Sequence, residues 1–189
     1  MSVILSVDPL FQSTSIREPS MTPKQNNHPL ALALFSLLSA LLVGHAIYHY
    51  VILPEEIATH FGFSGKPDAW GPKTVFFLWY FIITGLCIVM FVVVNRLLRP
   101  GHLSWLNIPN KEYWLAPERI HDTLHYVRSG MLLFGSGTLL FVLDFINQSF
   151  QVSLGNASRL DHPLTTLAMY LLFCVLWVSA LYRRFGRKM

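Results

Sequence analysis

The chain has 189 residues, 53% of them hydrophobic and only 13% charged, with a mean hydropathy of +0.46. A soluble domain carries about a quarter of its residues as charges, so this composition argues against an ordinary soluble globule and for insertion in a bilayer. The net charge of +4 forms no basic stripe of the kind that binds nucleic acid, and the two cysteines, Cys87 and Cys174, lie in apolar runs that offer no disulfide framework.

Residues 1–28 are polar and aperiodic, which predicts a disordered tail. Met21, followed by Thr22, Pro23 and Lys24, is an alternative start. The first apolar run extends from about Pro29 to Leu53. Lys24, the run Leu30 to Val43 and the small-x-small triplet Gly44-His45-Ala46 resemble a cleavable signal peptide. The run continues through Ile47, Tyr48 and Val51, however, and this favours an uncleaved spanning helix. His45 and His49 fall four residues apart on one face of it.

Pro54 ends that helix and opens a loop over residues 53–73 that is rich in Gly, Pro and aromatics. Ile57, Thr59, Phe61 and Phe63 alternate with Ala58, His60 and Gly62, a short half-buried strand pattern. Gly65-Lys66-Pro67-Asp68 has the chemistry of a turn. Trp70 is placed at headgroup depth, and Lys73 can snorkel at the start of the next helix.

The second run covers about Thr74 to Leu98, with no charge before Arg96. The loop after it carries Trp105, Leu106, Tyr113, Trp114 and Leu115, which suit a membrane surface. Pro117-Glu118 reads as a helix start, so the third helix is expected to begin below the membrane and to cross it over about Ser129 to Phe150. Glu118, His121 and His125 share one face of that stub, a weak candidate metal site because the spacing specifies no full ligand set. Ser129, Gly130, Ser136 and Gly137 repeat at seven residues and predict close helix packing. Asp144 is the one acid within the span. The fourth run covers about Pro163 to Tyr182 without a charge, and residues 184–189 form a basic tail. Two Asn-x-Ser sequons, at Asn147 and Asn156, are formal glycosylation acceptors.

Unpaired backbone groups are costly in lipid, so each run is expected to be helical. The fold class is thus an all-α integral membrane protein: four transmembrane helices over residues 29–183, with a structured extracytoplasmic loop between helices 1 and 2. With both termini in the cytoplasm, eleven of the 14 Lys and Arg fall on the inner side, which sets the expected orientation.

Leu53-Pro54, Ile57, His60-Phe61, Gly65, Pro67-Asp68, Trp70-Gly71 and Lys73 resemble the outer-loop pattern of the bacterial domain of unknown function 1648. Ile108 to Glu118 resembles the inner loop of many of its members, so the resemblance extends over about residues 30–120. It implies a multi-pass protein of the bacterial inner membrane, akin to the sporulation-delay toxin immunity proteins, with a binding role rather than a catalytic one.

Ionisable groups near mid-membrane usually pair or line a cavity. His45, His49, His60 and Asp144 are expected to form a polar cluster under the outer loop. With Asp68, Trp70 and Lys73 they make up the candidate ligand-binding set. A wet, headgroup-level position for His49 and Asp144, or a structural tie from helix to loop, are the competing readings. The chain shows no phosphate-binding Gly loop, nucleophile elbow or zinc-protease helix motif, and no cofactor is expected. The expected function is ligand sensing or immunity-like protection of the cell envelope. The partners would be the lipid bilayer and an envelope peptide or membrane protein, with a homo-oligomer also open. The alternative is a small transporter or channel subunit acting as an oligomer.

Overall fold

A computed structural model of the protein describes residues 28–101 and 103–187. Most of the expected N-terminal tail, including Met21, lies outside the described residues, as does Lys188 of the basic tail.

Among the described residues four helices are long and apolar enough to cross a membrane: α1 (His28–Ile52), α2 (Lys73–Leu97), α4 (Ile120–Ser153) and α5 (Pro163–Phe185). Two strands, β1 (Glu56–Phe61) and β2 (Pro67–Pro72), lie between α1 and α2, and a single turn of helix, α3 (Lys111–Trp114), precedes α4. At 1.5 Å per residue the shortest span, α5, is about 35 Å long, enough for a hydrocarbon core of about 30 Å. Helix α4 reaches about 51 Å by the same rise and overshoots that thickness.

The expectation of an all-α chain needs one amendment. Strands β1 and β2 pair antiparallel as a hairpin, with Glu56 opposite Pro72 and Phe61 opposite Pro67. The turn falls earlier than its chemistry predicts. It is closed by Gly62 N–H to the Lys66 carbonyl and by Gly65 N–H to the Gly62 carbonyl, at 3.0 and 2.9 Å, so Pro67 and Asp68 already belong to β2. The alternation in β1 also breaks. Ile57 and Ala58 are both buried, and the register shifts between Ala58 and His60, so Thr59 is an irregularity in the ladder.

Helix α4 is the centre of the bundle, with α1, α2, α5 and β1 all packed on it. Its seam of Leu132, Gly135, Ser136 and Leu139 recurs at helical spacing and meets Phe35 and Leu42 of α1 and Phe91 of α2 in one core. In lipid the drive to associate is close packing rather than hydrophobicity. Gly135 shows this directly: a Cβ there would stand 2.7 Å from Phe35 Cε2 and 3.0 Å from Phe91 Cγ. The predicted Gly130–Gly137 stripe faces the other way, toward α5, where a Cβ at Gly137 would stand 2.6 Å from the Phe173 ring.

A second core closes the end of the bundle away from the hairpin. Leu98, Leu103, Leu106, Trp114, Leu124 and Val127 surround Phe185, the last residue of α5. Asn110, in the left-handed region at φ 52°, and Trp114 each donate a side-chain N–H to the Phe185 carbonyl, at 2.9 and 3.0 Å. They satisfy an acceptor that every helix C-terminus leaves open. The third helix therefore starts later than expected: Pro117 and Glu118 sit in the turn before Ile120.

Candidate functional site

The hairpin is tied at its base to the helix ends and at its tip to the α4–α5 connection. Ala58 N–H donates to Ser153 Oγ at 3.1 Å, and the Ser153 hydroxyl in turn donates to the Ser149 carbonyl at 3.0 Å. Lys73 Nζ donates to the Leu53 carbonyl at 3.1 Å, pairs with Glu55 at 3.1 Å and lies 5.3 Å from the centre of the Tyr50 ring. Lys73 N–H also donates to the Glu55 carbonyl, at 2.8 Å. The tip is clamped by Leu160 N–H to the Gly65 carbonyl at 2.8 Å. Gly65 has φ +75°, and a Cβ there would stand 3.2 Å from the Leu160 carbonyl oxygen, so both conformation and space call for glycine. Lys73, expected to bind ligand, thus joins the end of α1 to the start of α2.

The outer face of this clamped hairpin is open. Phe63 at the turn is 99% exposed and Trp70 on β2 is 52% exposed. His60 Nδ1 and Asp68 Oδ1 meet at 2.5 Å across the hairpin, with both side chains mostly solvent-accessible. An apolar groove of about 540 Å³ runs from Thr59 and Gly71 of the hairpin down between α2 and α4, along Phe76, Trp79 and Val142.

The expected polar cluster is distributed over three places. His45 and His49 face α4, where His49 is 5% exposed. Their rings are 4.0 Å apart, and that of His49 lies 4.8 Å from Phe150. His49 Nδ1–H donates to the His45 carbonyl at 2.9 Å, which orients the ring, while His45 Nε2 reaches Asn147 Oδ1 at 3.3 Å. His60 and Asp68 form the hairpin pair. Asp144 turns toward α5, where its carboxylate accepts from Gln148 at 2.7 Å and from Thr166 at 2.9 Å. Gln148 in turn accepts from the backbone N–H of His162, which caps α5, at 3.2 Å. Asp144, Asn147 and Gln148 line a polar cleft of about 600 Å³ beside the α4–α5 connection. Asn147 thereby touches both the histidine pair and this cleft.

Asn147, Gln148, Phe150, Ser153 and Thr166 were not among the residues singled out by sequence as a site. The signal available was the polar spacing 144, 147, 148, 151 at one helix end, which places four side chains on one face. Their partners on α1, β1 and α5 have no such signature.

The second candidate set does not assemble. Glu118 lies in the turn, while His121 and His125 lie on the first turns of α4, and the His125 ring is 6.1 Å from that of His28. Among the described residues no group of three or more His, Cys, Asp or Glu is placed to hold a metal ion. Cys87 and Cys174 are free, half-buried thiols.

Fold and site together describe a mostly helical protein with, among the described residues, four helices long and apolar enough to cross a membrane, and a clamped β-hairpin with an open aromatic face. Residues 37–84 match the sequence profile of a family described as Domain of unknown function (DUF1648). That segment comprises the half of α1 next to the hairpin, the hairpin itself and the adjoining half of α2, a narrower stretch than the resemblance over residues 30–120 implies. No curated protein and no solved structure matches the chain.

Proposed function

We propose that the protein sits in the bacterial cytoplasmic membrane with both termini inside, and that its hairpin face binds an envelope peptide or membrane-protein partner. Its role on this reading is sensing or immunity-like protection, consistent with the resemblance to the sporulation-delay toxin immunity proteins. One observation carries the reading: the hairpin is tied at both its base and its tip, yet holds Phe63 and Trp70 out to solvent. Large exposed aromatics on a rigid support are the usual anchors of an interface. Fixing them beforehand lowers the entropy cost of association. His60 and Asp68 add a polar, hydrogen-bonding rim.

The test is a photo-crosslinking amino acid at Phe63, illuminated in native membranes. A discrete adduct that disappears when Trp70 is replaced by Ala supports the reading. Uniform labelling by lipid alone, unchanged by Trp70→Ala, refutes it. Cysteine-accessibility labelling at Lys66 checks the orientation, and labelling only from the cytoplasmic side reverses it.

A further inference from the structure

The hairpin reading leaves unused the polar cleft of about 600 Å³ beside the α4–α5 connection. Its walls carry both signs of charge. Asp144 stands on α4 and Arg159 on the connection, and among the described residues no salt bridge joins Arg159 to any carboxylate. Asp144 is held by one oxygen only. Thr166 Oγ1 and Gln148 Nε2 both donate to its Oδ2, at 2.9 and 2.7 Å, and its Oδ1 has no partner among the described residues. Asp161, the other carboxylate of the cleft, pairs with His162 at 3.2 Å. Two carboxamides add donors: Asn147 and Gln151 accept through their oxygens, from His45 at 3.3 Å and from Asn156 at 2.8 Å, and keep their N–H groups open. The backbone that carries Arg159 is fixed on both sides. Asn156 N–H donates to the Gln151 carbonyl at 3.0 Å, and Leu160, 3% exposed, is the residue that clamps the hairpin tip.

We infer that this cleft binds a zwitterion: a primary ammonium received by Asp144 Oδ1 and, a few bonds away, a phosphate or carboxylate received by Arg159. The start of α5 by itself explains half of the arrangement. An acid beside the positive end of a helix is stabilised there, which accounts for Asp144, whereas a guanidinium is disfavoured at the same end. An anion in the cleft would gain from Arg159 and from the helix end together. A lone anion would also face the Asp144 charge, and a lone cation that of Arg159. A ligand that carries both charges meets each group with its complement, through charge-assisted hydrogen bonds that are the stronger kind. The volume lies within the range of small-molecule sites. Two sources share this chemistry: the headgroup of an aminophospholipid and a free zwitterion such as an amino acid. The apolar run of α5 begins with Leu164, directly beside the cleft, at the level a headgroup would occupy.

The test uses the full chain, extracted from vesicles of phosphatidylethanolamine and phosphatidylcholine in equal amounts, with the retained lipid counted by native mass spectrometry. The two headgroups share a phosphate, and only the first has N–H groups on its cation, so their comparison isolates the bond to Asp144. Wild type is expected to retain phosphatidylethanolamine preferentially. Asp144→Asn keeps an acceptor oxygen for Thr166 and Gln148 but removes the charge, and it should erase the preference. Arg159→Gln should lower phosphatidylethanolamine retention about tenfold, the factor for one hydrogen bond to a charged group. A second arm measures thermal stability with phosphoethanolamine or glycine, and with ethanolamine and inorganic phosphate as the separate halves. Stabilisation by the zwitterions alone, lost in both variants and without lipid preference, would assign the site to a free zwitterion. Equal retention of the two lipids with no response to either zwitterion overturns the inference. So does stabilisation by ethanolamine or phosphate that equals that by phosphoethanolamine, or a wild-type response kept by variants that elute as monodisperse peaks. Arg159→Gln alters an exposed side chain of the connection and carries the test if Asp144→Asn does not fold.

Discussion

Helix α4 is packed on two sides, and the two sides are built differently. Toward α1 and α2 it presents Leu132, Gly135, Ser136 and Leu139, all buried, to a core that includes Phe35, Leu42 and Phe91. Toward α5 it presents Phe134 and Phe141, which stack on Phe173 and Tyr170 with ring centres 5.7 and 4.4 Å apart. No part of α5's apolar span is buried inside the protein, and the one buried residue of the helix is Phe185 at its end. The first three long helices thus share one core around the Leu132–Leu139 seam. The fourth is laid against them by one aromatic face and fastened at its last residue.

The largest effect is expected where that fastening is removed. Phe185→Ala should cost about 3 to 4 kcal/mol, the usual penalty for emptying a buried aromatic site. Protease protection of α5 should fall before that of α1, α2 and α4 in limited proteolysis followed by mass spectrometry. Concerted loss of all four helices would mean that α5 is no more separable than the rest. Gly135→Ala comes next, at about 2 to 3 kcal/mol of overpacking, because the rings it meets are themselves boxed in by α1 and α2. Denaturant titration in detergent measures it. The sharpest version of the comparison is Gly137→Ala, whose Cβ would meet Phe173 even more closely, at 2.6 Å. Helix α5 is free to shift outward, so about 1 kcal/mol is expected there despite the shorter distance. A larger loss at Gly137 than at Gly135 would invert the ranking of the two faces. The smallest effect should come from Thr166→Val. It removes one donor to the exposed Asp144 and one acceptor for Gln148, at about 0.5 kcal/mol. The melting temperature in detergent should move by little.

The spans were legible to within a residue at most ends. Runs read as 29–53, 74–98 and 163–182 became His28–Ile52, Lys73–Leu97 and Pro163–Phe185. The third span was read as 129–150 on a helix expected to begin near Pro117, and the helix runs over Ile120–Ser153. Its extra turns bury Thr123, Leu124 and Val127 against the loop that carries α3. Hydropathy alone marks only the apolar part of this helix; its earlier start was legible from the Pro117-Glu118 start signal, to within three residues. In the hairpin, β1 had a recognisable pattern. Strand β2, with two prolines and a glycine in six residues, had none, because its place in the sheet depends on pairing with β1.

The candidate site divides in the same way. That His45 and His49 share a face follows from helical periodicity alone, and so does the polarity of the α4 end around Asp144. That Phe150 receives the histidines while Thr166 receives Asp144 depends on which sides of α4 are turned to α1 and to α5. Lys73 illustrates the limit most clearly. A lysine at a helix start reads as a snorkelling or ligand-binding cation, and only the return of the chain brings Leu53, Glu55 and Tyr50 around its ammonium.

By itself the sequence determined how many helices are long and apolar enough to span a bilayer, where most of them begin and that a shaped segment joins the first two. A backbone in lipid must satisfy its own hydrogen bonds, and a run of apolar residues therefore has only one local solution. The tertiary structure alone decided which helix lies at the centre, which face of it each neighbour takes and where the polar groups meet. Inside a bilayer every face of such a helix is similarly apolar. The choice among faces falls to the fit of rings such as Phe35 and Phe173 into the notches at Gly135 and Gly137, a steric property that hydropathy does not encode.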